Sequence, residues 1–222
     1  LGAEVLVRWL HPEHGLVPPV AFIPLGASCG LLPAVTRHVL TLAMDEARAW
    51  ERQGVGLSMA INVSMIDVAD IGFANAMEVL ARDAGVDPAR ITLEITEDQV
   101  MSRPSAVLDV LSRLSLKRFR LSIDDFGTGH SSLSQLRDLP FDELKIDRSF
   151  VHGAQEDARI RAICLASIDM AHRLGMATVA EGIEDQADWD CQRALGCDVA
   201  QGYFIARPMS APAMREWLRQ RG

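Results

Sequence analysis

Short apolar segments alternate along the chain with longer segments in which apolar residues recur every three or four positions. The short segments are rich in Val, Ile and Leu, which favours buried strands, and the longer segments have the spacing of helices. In residues 31–52, for example, Val35, Val39 and Ala43 share one helical face, and Gly54 is the expected helix end. The pattern repeats about every thirty residues, as consecutive βα units do.

Seven strands and seven helices are predicted from this pattern. The strands are predicted at 3–9, 57–65, 91–97, 119–123, 143–147, 176–181 and 198–203, and the helices at 31–52, 71–84, 105–116, 132–138, 158–174, 186–195 and 211–221. Because no linker or change of composition interrupts the pattern, we expect one domain over residues 1–222. We expect the α/β fold of a TIM-like (β/α)8 barrel, which has eight strands, with its first strand missing from the N-terminus of this sequence. An open doubly wound sheet is the alternative, although the first βα turn lacks the Gly-x-Gly-x-x-Gly pattern of dinucleotide-binding folds.

Charge and cysteine content exclude several classes of function. The formal net charge of the 222 residues is −8, so the chain is a poor binder of nucleic acid or of anionic membranes. An anionic ligand would therefore need local cations or metal ions. No apolar segment approaches the length of a membrane span, and the four cysteines lack the spacing of a metal or redox motif. We expect a cytoplasmic domain with reduced thiols.

Polar residues collect where the predicted strands end. They are Asn62, Glu94, Glu97, Asp124, Asp125, Lys145, Asp147, Glu181 and Gln201, whereas Glu4 lies inside the first strand. The carboxyl ends of parallel strands lie on one face of a barrel, which is where barrel enzymes have their active sites. Solvated charges in turns are the alternative, but so many acidic residues at matching positions favour a functional site.

The residue types at these positions indicate the chemistry of the site. Glu4, Asn62, Glu94, Asp124 and Asp125 offer oxygen atoms only, which favours Mg²⁺ or Mn²⁺, with Ca²⁺ as a competing and inhibitory ion. A carboxylate such as Asp124 can bridge two ions about 4 Å apart, a spacing that suits phosphoryl chemistry. Lys145 and Arg8 are the nearby cations. The simpler interpretation of Lys145 is an ion pair with a neighbouring carboxylate such as Asp147, and that of Arg8 is a surface charge.

The same residues fall in motifs that resemble the EAL domain, the bacterial phosphodiesterase that linearises cyclic di-GMP. The name-giving motif is Glu4-Val5-Leu6 here, with valine in place of alanine. The resemblance continues in the family's order through essentially the whole chain, in the motifs Phe22-Ile23-Pro24-Leu25, Asn62-Val63-Ser64, Glu94-Ile95-Thr96-Glu97, Asp124-Asp125-Phe126-Gly127-Thr128-Gly129, Leu144-Lys145-Ile146-Asp147, Ala180-Glu181-Gly182-Ile183-Glu184 and Gln201-Gly202-Tyr203.

The resemblance implies a TIM-like barrel whose first, antiparallel strand precedes the EAL motif, and it implies a role for each matching residue. Metal binding falls to Glu4, Asn62, Glu94, Asp124 and Asp125. Glu181 is implied as the general base or as a ligand that orients the attacking water, Lys145 as a contact of the water or phosphate, and Glu97 as the anchor of the loop after Asp125. The dinucleotide pocket would be lined by Leu6, Arg8, Pro24, Asp147, Glu184 and Gln201.

The implied reaction is in-line attack of a metal-activated water on one phosphodiester of cyclic di-GMP, which gives linear 5′-pGpG. The family implies a homodimer and, elsewhere in the full-length protein, sensor or GGDEF domains. Three departures from the family pattern, at Ala27, His38 and His130, change no metal ligand. The alternatives are a catalytically silent EAL domain that binds cyclic di-GMP or a protein, and another metal-dependent barrel lyase or hydrolase. The presence of Glu4, Asp124, Asp125, Lys145 and Glu181 favours the enzyme.

Overall fold

The structure, a computed structural model, describes residues 2–102, 104–128 and 133–221, with backbone only at 101, 102, 104–106, 133–135 and 221. The described residues form two compact units. The first contains 2–123 and 133–141 apart from 103, and the second contains 124–128 and 142–221.

The first unit is built on a sheet in the hydrogen-bonded order β1-β4-β5-β6. These strands are β1 (Gly2–Val5), β4 (Ser58–Asn62), β5 (Ile91–Thr96) and the first residues of β6 (Arg120–Phe126). β1 pairs with β4 and β4 pairs with β5, in both cases parallel, and Asn62 is the partner of Glu94. Between β1 and β4 the chain also forms an antiparallel hairpin of β2 (Trp9–His11) and β3 (Gly15–Val17).

Seven helices of the first unit are described: α1 (Pro19–Ser28), α2 (Leu32–Arg52), α3 (Met65–Ala69), α4 (Phe73–Ala84), α5 (Glu97–Ser102), α6 (Pro104–Leu116) and α7 (Leu133–Asp138). A 3-10 turn, Pro88–Arg90, precedes β5. Helix α2 buries Leu40, Ala43, Met44, Ala47 and Trp50, which recur every three or four residues as an amphipathic helix requires. The strands add fully buried Ile and Leu side chains to the same core, among them Ile91, Leu93, Ile95, Leu121 and Ile123.

The second unit contains the end of β6, β7 (Glu143–Ile146), β8 (Ala177–Ala180) and β9 (Val199–Ala200), hydrogen-bonded in that order. β7 pairs with β8 and β8 with β9, again in parallel. Its helices are α8 (Arg148–Val151), α9 (Ala158–Arg173), α10 (Gln186–Leu195) and α11 (Ala211–Arg221). The side chains of Asp157 and Asp185 cap the N-termini of α9 and α10 by accepting backbone N–H bonds.

All seven predicted strands are present in the structure, and the predicted bounds of α10 and α11 agree with it. The predicted strand 3–9 is wrong in extent, because β1 ends at Val5 and Trp9 begins the hairpin. The predicted strand 57–65 is also too long. Ser64 instead caps α3 with a capping box, in which its side chain and that of Asp67 each accept a backbone N–H bond. Among the described helices, none combines the length and the apolar character that crossing a membrane requires.

Candidate functional site

Three carboxylates of the second unit converge where strands β6 and β8 end. Asp124 and Asp125 lie near the end of strand β6, and Glu181 follows β8 directly. One carboxylate oxygen from each of the three lies within 4.8 Å of the other two. Asp124 is buried and the other two are half-buried. The sequence-based expectation that the strand ends bring acidic residues together therefore holds for these three.

Lys145 provides the positive charge of this cluster. Its Nζ lies 3.0 Å from Oδ1 of Asp124 and 2.7 Å from Oε1 of Glu181, and 1% of its side chain is exposed. Lys145 therefore forms ion pairs with neighbouring carboxylates, as the simpler interpretation of this residue expected, and these partners include Asp124 and Glu181. Asp147 caps helix α8 by accepting the N–H of Ser149 at 2.9 Å.

The donor set fits a hard divalent cation. Counted by formal charge, the three carboxylates outnumber the one ammonium that lies against them. Like charges held this closely in a partly buried site repel one another unless a cation compensates them. Carboxylate oxygens without histidine or cysteine are the ligands that Mg²⁺, Mn²⁺ and Ca²⁺ prefer. Asp124, Asp125 and Glu181 could hold such an ion.

The backbone at Asp125 adopts a conformation that non-glycine residues seldom adopt. Its φ is +55°, in the left-handed region, and its carbonyl accepts hydrogen bonds from the N–H and the hydroxyl of Thr128. Two residues further on, Gly127 has φ +100°, and a Cβ at this position would lie 2.7 Å from the ring of Phe150. Strained backbone of this kind is concentrated at functional sites. The turn is therefore fixed in a shape that presents the Asp125 carboxylate beside Asp124 and Glu181.

The segment 181–184 is fastened by backbone hydrogen bonds to its neighbours in the second unit. The N–H of Glu181 donates to Ile146 O at 3.1 Å, and the N–H of Ile183 donates to Gln201 O at 3.0 Å. Gly182 has φ +71°, and a Cβ on it would lie 2.5 Å from Cβ of Arg148. This segment contains Glu181 and Glu184, and Gln201 lies against it, so three of the predicted site residues are held together.

The first unit has its own polar group, formed by Glu4 on β1, Asn62 at the end of β4 and Glu94 on β5. The Nδ2 of Asn62 donates to Oε1 of Glu4 at 2.9 Å and to Oε2 of Glu94 at 3.2 Å. Because both amide hydrogens are used in this way, the amide oxygen is the atom that Asn62 has left for a ligand. Glu94 and Glu97, the first residue of α5, are 1% and 2% exposed.

Three predicted pocket residues of the first unit lie at its surface. Leu6 is 42% exposed and follows β1, and Pro24 is exposed inside helix α1. Arg8 is exposed and donates from Nη1 to the Val7 carbonyl at 2.8 Å. Of the residues that depart from the family pattern, Ala27 is exposed on α1 and His38 is exposed on α2. His130, and with it the end of the loop that Glu97 is predicted to anchor, lies outside the described residues.

Asp188 is one of several buried polar residues that the sequence did not single out. Asp188, in the first turn of α10, has no exposed side-chain surface and accepts the N–H of Glu184 at 3.2 Å. Acidic residues are common in the first turn of any helix because they complement the helix dipole. The sequence therefore carried no signal that distinguishes Asp188 from an ordinary helix-start residue.

Parallel βα units whose strands end in carboxylates, with a buried lysine among them, define an α/β protein of the TIM-like class with an acidic site for a cation. A family model described as the EAL domain matches residues 1–208. The chain belongs to the EAL domain family, and the predicted fold class is confirmed.

Named relatives and solved structures agree with this assignment. The cyclic di-GMP phosphodiesterase PA2567 of Pseudomonas aeruginosa is 37% identical over 219 residues, which are 99% of this chain and 37% of that protein. The bifunctional diguanylate cyclase/cyclic di-GMP phosphodiesterase MucR of the same organism is 37% identical over 212 residues, which are 95% of this chain and 31% of MucR. The chain thus spans about a third of the length of these relatives.

The solved structure "PaMucR Phosphodiesterase, c-di-GMP complex" has a TM-score of 0.91 to this chain at 37% sequence identity. The match covers 96% of this chain and 87% of that one. The similarity therefore extends over nearly all of this chain and is not limited to the motifs.

Proposed function

We propose that this chain is a divalent-metal-dependent phosphodiesterase that hydrolyses cyclic di-GMP to linear 5′-pGpG. The observation that carries the proposal is the cluster of Asp124, Asp125 and Glu181 around the buried Lys145 in a chain of the EAL family. The names of PA2567 and MucR and the ligand of the MucR structure support the choice of substrate.

We assign the metal-binding role to Asp124 and Asp125 and, following the family motifs, to Glu4, Asn62 and Glu94. A divalent ion bound by such residues lowers the pKa of water and withdraws charge from a phosphate oxygen. Mg²⁺ or Mn²⁺ is the proposed ion, two per site, and Ca²⁺ the proposed inhibitor, because Ca²⁺ binds oxygen ligands with a looser geometry.

The residues of the chain have separate roles in the reaction. Glu181 accepts a proton from the attacking water, whose oxygen forms the new bond to phosphorus. The bond from phosphorus to the 3′ oxygen breaks, and that oxygen takes up a proton from solvent water as it leaves. Lys145 fixes Glu181 and Asp124 through its two ion pairs and places a positive charge beside the phosphate. Glu97 anchors the loop after Asp125.

Substrate binding is assigned to Leu6, Arg8, Pro24, Asp147, Glu184 and Gln201. Of these, Asp147, Glu184 and Gln201 belong to the same unit as the acidic cluster. An acidic chain would rely on bound metal, Lys145 and Arg8 to attract the two phosphates of the substrate.

The proposal extends to the setting of the domain. We propose that the chain is joined to sensor or GGDEF domains in the full-length protein, as the greater length of the relatives and the bifunctional name of MucR suggest. Following the family resemblance, we also propose that the domain is a cytoplasmic homodimer. Sedimentation of the purified chain at several concentrations tests the dimer, and a monomer at all of them contradicts it.

The proposed activity is tested by incubating the chain with cyclic di-GMP and either Mg²⁺, Mn²⁺ or Ca²⁺ and separating the products. We expect pGpG with Mg²⁺ or Mn²⁺ and almost none with Ca²⁺. Tight binding of cyclic di-GMP without pGpG formation would instead identify a silent receptor domain. The complete set of Glu4, Asp124, Asp125, Lys145 and Glu181 favours the enzyme over that alternative.

A further inference from the structure

Asp188 is a carboxylate buried in the second unit to which the proposed chemistry assigns no role. Its side chain has no exposed surface, and Oδ2 accepts the N–H of Glu184 at 3.2 Å. Within the described part of the chain, Oδ1 is buried and accepts no hydrogen bond. His152 Nδ1 lies 3.6 Å from Oδ2, which is too long for a hydrogen bond.

This arrangement is costly for the fold. A buried carboxylate loses its hydration, and one long hydrogen bond and a largely exposed histidine compensate that loss only in part. An apolar residue or an amide at position 188 would avoid the cost. The residue is therefore better explained by what it holds in place than by a contribution to stability.

What Asp188 holds is the end of the segment 181–184. Backbone groups fix the segment at three points: the N–H of Glu181 to Ile146 O, the N–H of Ile183 to Gln201 O, and the carbonyl of Ile183 to the N–H of Phe204. The N–H of Glu184 is the fourth point, and its acceptor is a side chain. Asp188 itself is placed by Asp185, whose Oδ1 accepts the N–H of Asp188 at 2.9 Å.

We propose that Asp188 is a positioning residue that holds the backbone of Glu184, and through it the Glu181–Glu184 segment, in the geometry the reaction requires. The proposal rests on the proposed function, in which Glu181 is the general base and Glu184 lines the dinucleotide pocket. Misplacing reacting groups by about 1 Å can cost about 100-fold in rate, so one anchoring hydrogen bond at this segment has a measurable effect on catalysis.

The test compares three variants with the wild-type chain. Asp188→Ala removes the acceptor, Asp188→Asn keeps an acceptor oxygen and removes the charge, and Asp157→Ala is the control. Asp157 makes an analogous carboxylate bond to a backbone N–H, that of Arg159 at 2.7 Å, at the start of α9. For each protein we would measure amide hydrogen exchange at Glu184, the Kd for cyclic di-GMP, and kcat and KM. All measurements would be made at a temperature well below the Tm of each protein.

In Asp188→Ala we expect faster exchange at Glu184 by about tenfold or more. We also expect a loss of kcat/KM of about 10- to 100-fold with a weaker Kd. Asp188→Asn should stay within about threefold of the wild type on all readouts, because the hydrogen bond remains. Asp157→Ala should lower the Tm and leave exchange at Glu184, Kd and kcat/KM unchanged.

Two results would overturn the proposal: unchanged exchange at Glu184 in Asp188→Ala, or faster exchange with unchanged Kd and kcat/KM. A wild-type chain that binds cyclic di-GMP without hydrolysing it contradicts the proposed activity, and the exchange and Kd comparison then decides the role of Asp188. A wild-type chain that does neither contradicts the proposed function, and exchange at Glu184 alone still decides whether Asp188 holds the segment.

Discussion

Lys145 joins Asp124 and Glu181, with its Nζ 3.0 Å from one carboxylate and 2.7 Å from the other. The two acidic residues come from the ends of different strands, β6 and β8, and the lysine comes from β7, the strand between them in the hydrogen-bonded order. A buried ammonium that is shared by two carboxylates couples their charges. A substitution at one of the three residues therefore changes the electrostatic environment of the other two.

Replacing Lys145 by methionine should therefore destabilise the metal-free chain by about 3–5 kcal/mol, because it leaves carboxylates in a partly buried site without their cation. Mg²⁺ should restore part of this loss, since the ion supplies the missing charge. Urea unfolding in the presence of EDTA or of Mg²⁺ measures both effects. Turnover of cyclic di-GMP should be lost under both conditions.

Lys117→Met is the matched control for Lys145→Met. Lys117 pairs with Glu78 at 2.5 Å at the surface of the first unit, where such pairs contribute about 0–1 kcal/mol. We expect a small stability change that Mg²⁺ does not alter, and wild-type turnover. Equal losses in the two variants would contradict the central position that we assign to Lys145.

Glu181→Gln should abolish turnover and leave the Kd for cyclic di-GMP nearly unchanged. The amide keeps the size of the side chain but cannot accept the proton of the attacking water, and loss of a general base typically costs about 10²- to 10⁴-fold. Steady-state kinetics and calorimetry separate the two properties. Glu156→Gln, at an exposed position of the same unit, should match the wild type in both. Wild-type turnover in Glu181→Gln would show that Glu181 is not the base.

Asp125→Gly should stabilise the metal-free chain and remove its activity. Glycine relieves the left-handed conformation at φ +55°, which is worth about 1 kcal/mol, and the loss of the Asp125 carboxylate removes a proposed metal ligand. Arg118, after α6, is the other described non-glycine residue with positive φ, +70°. Arg118→Gly should give a similar gain with unchanged turnover. Loss of stability in Asp125→Gly would contradict the interpretation of strain at the site.

The sequence was most informative where buried strands alternate with amphipathic helices. Asp124 and Glu181 were found because each follows an apolar strand directly, and parallel pairing brings such ends to one edge. Lys145 was identified as a cation with a carboxylate partner nearby. Its partners depend on how strands β6, β7 and β8 pair, so spacing alone did not distinguish Asp147 from the other neighbouring carboxylates.

The sequence was least informative where a local rule has an exception. Helix α1 was not predicted, and it contains Pro24 at an internal position where proline usually ends a helix. Strand β9 was predicted over 198–203 but contains only Val199–Ala200. The backbone that follows it forms hydrogen bonds with Ile183, through the carbonyl of Gln201 and the N–H of Phe204. Asp188 was missed because the sequence does not show that its side chain is buried. An acidic residue in the first turn of a helix is common whether it is buried or exposed.

Acid should weaken the second unit through Asp198, which joins α9, β8 and β9. Burial is the largest effect on the pKa of Asp198 and raises it, but hydrogen bonds from His172 and from the N–H and hydroxyl of Thr178 outweigh it, so the pKa lies below its usual value. A depressed pKa contributes stability above the unfolded value of about 3.9, and that stability is lost as the pH falls through the folded pKa.

Asp198→Asn should therefore be less stable than the wild type at pH 7, and the difference should shrink below about pH 4. Denaturant unfolding at pH values from about 2 to about 7, which include the range in which carboxylates titrate, measures this difference in stability. Asp138→Asn is the control. Its hydrogen bond from Arg137 also lowers the pKa of Asp138, but the pair is exposed, so solvent screens it and no measurable change is expected. A pH-independent difference for Asp198→Asn would show that its ionisation does not stabilise the unit.

Gly202→Ala tests whether the glycine of the motif Gln201-Gly202-Tyr203 is required because the backbone of Ile183 lies against it. A Cβ at Gly202 would lie 2.1 Å from the oxygen and 2.3 Å from the nitrogen of Ile183, the two atoms that bond to Phe204 N–H and Gln201 O. Backbone cannot move aside as a flexible side chain can, so we expect a loss of about 3 kcal/mol or more, together with weaker binding of cyclic di-GMP.

The matched control for Gly202→Ala is Gly175→Ala, after α9. Gly175 has φ +80° with no atom within 4 Å of a Cβ, so alanine there costs only the strain of the left-handed backbone, about 1 kcal/mol. Urea unfolding ranks the two variants, and calorimetry compares their Kd for cyclic di-GMP. If Gly202→Ala is no more destabilising than Gly175→Ala and binds with wild-type affinity, close contact with Ile183 is not what requires glycine at position 202.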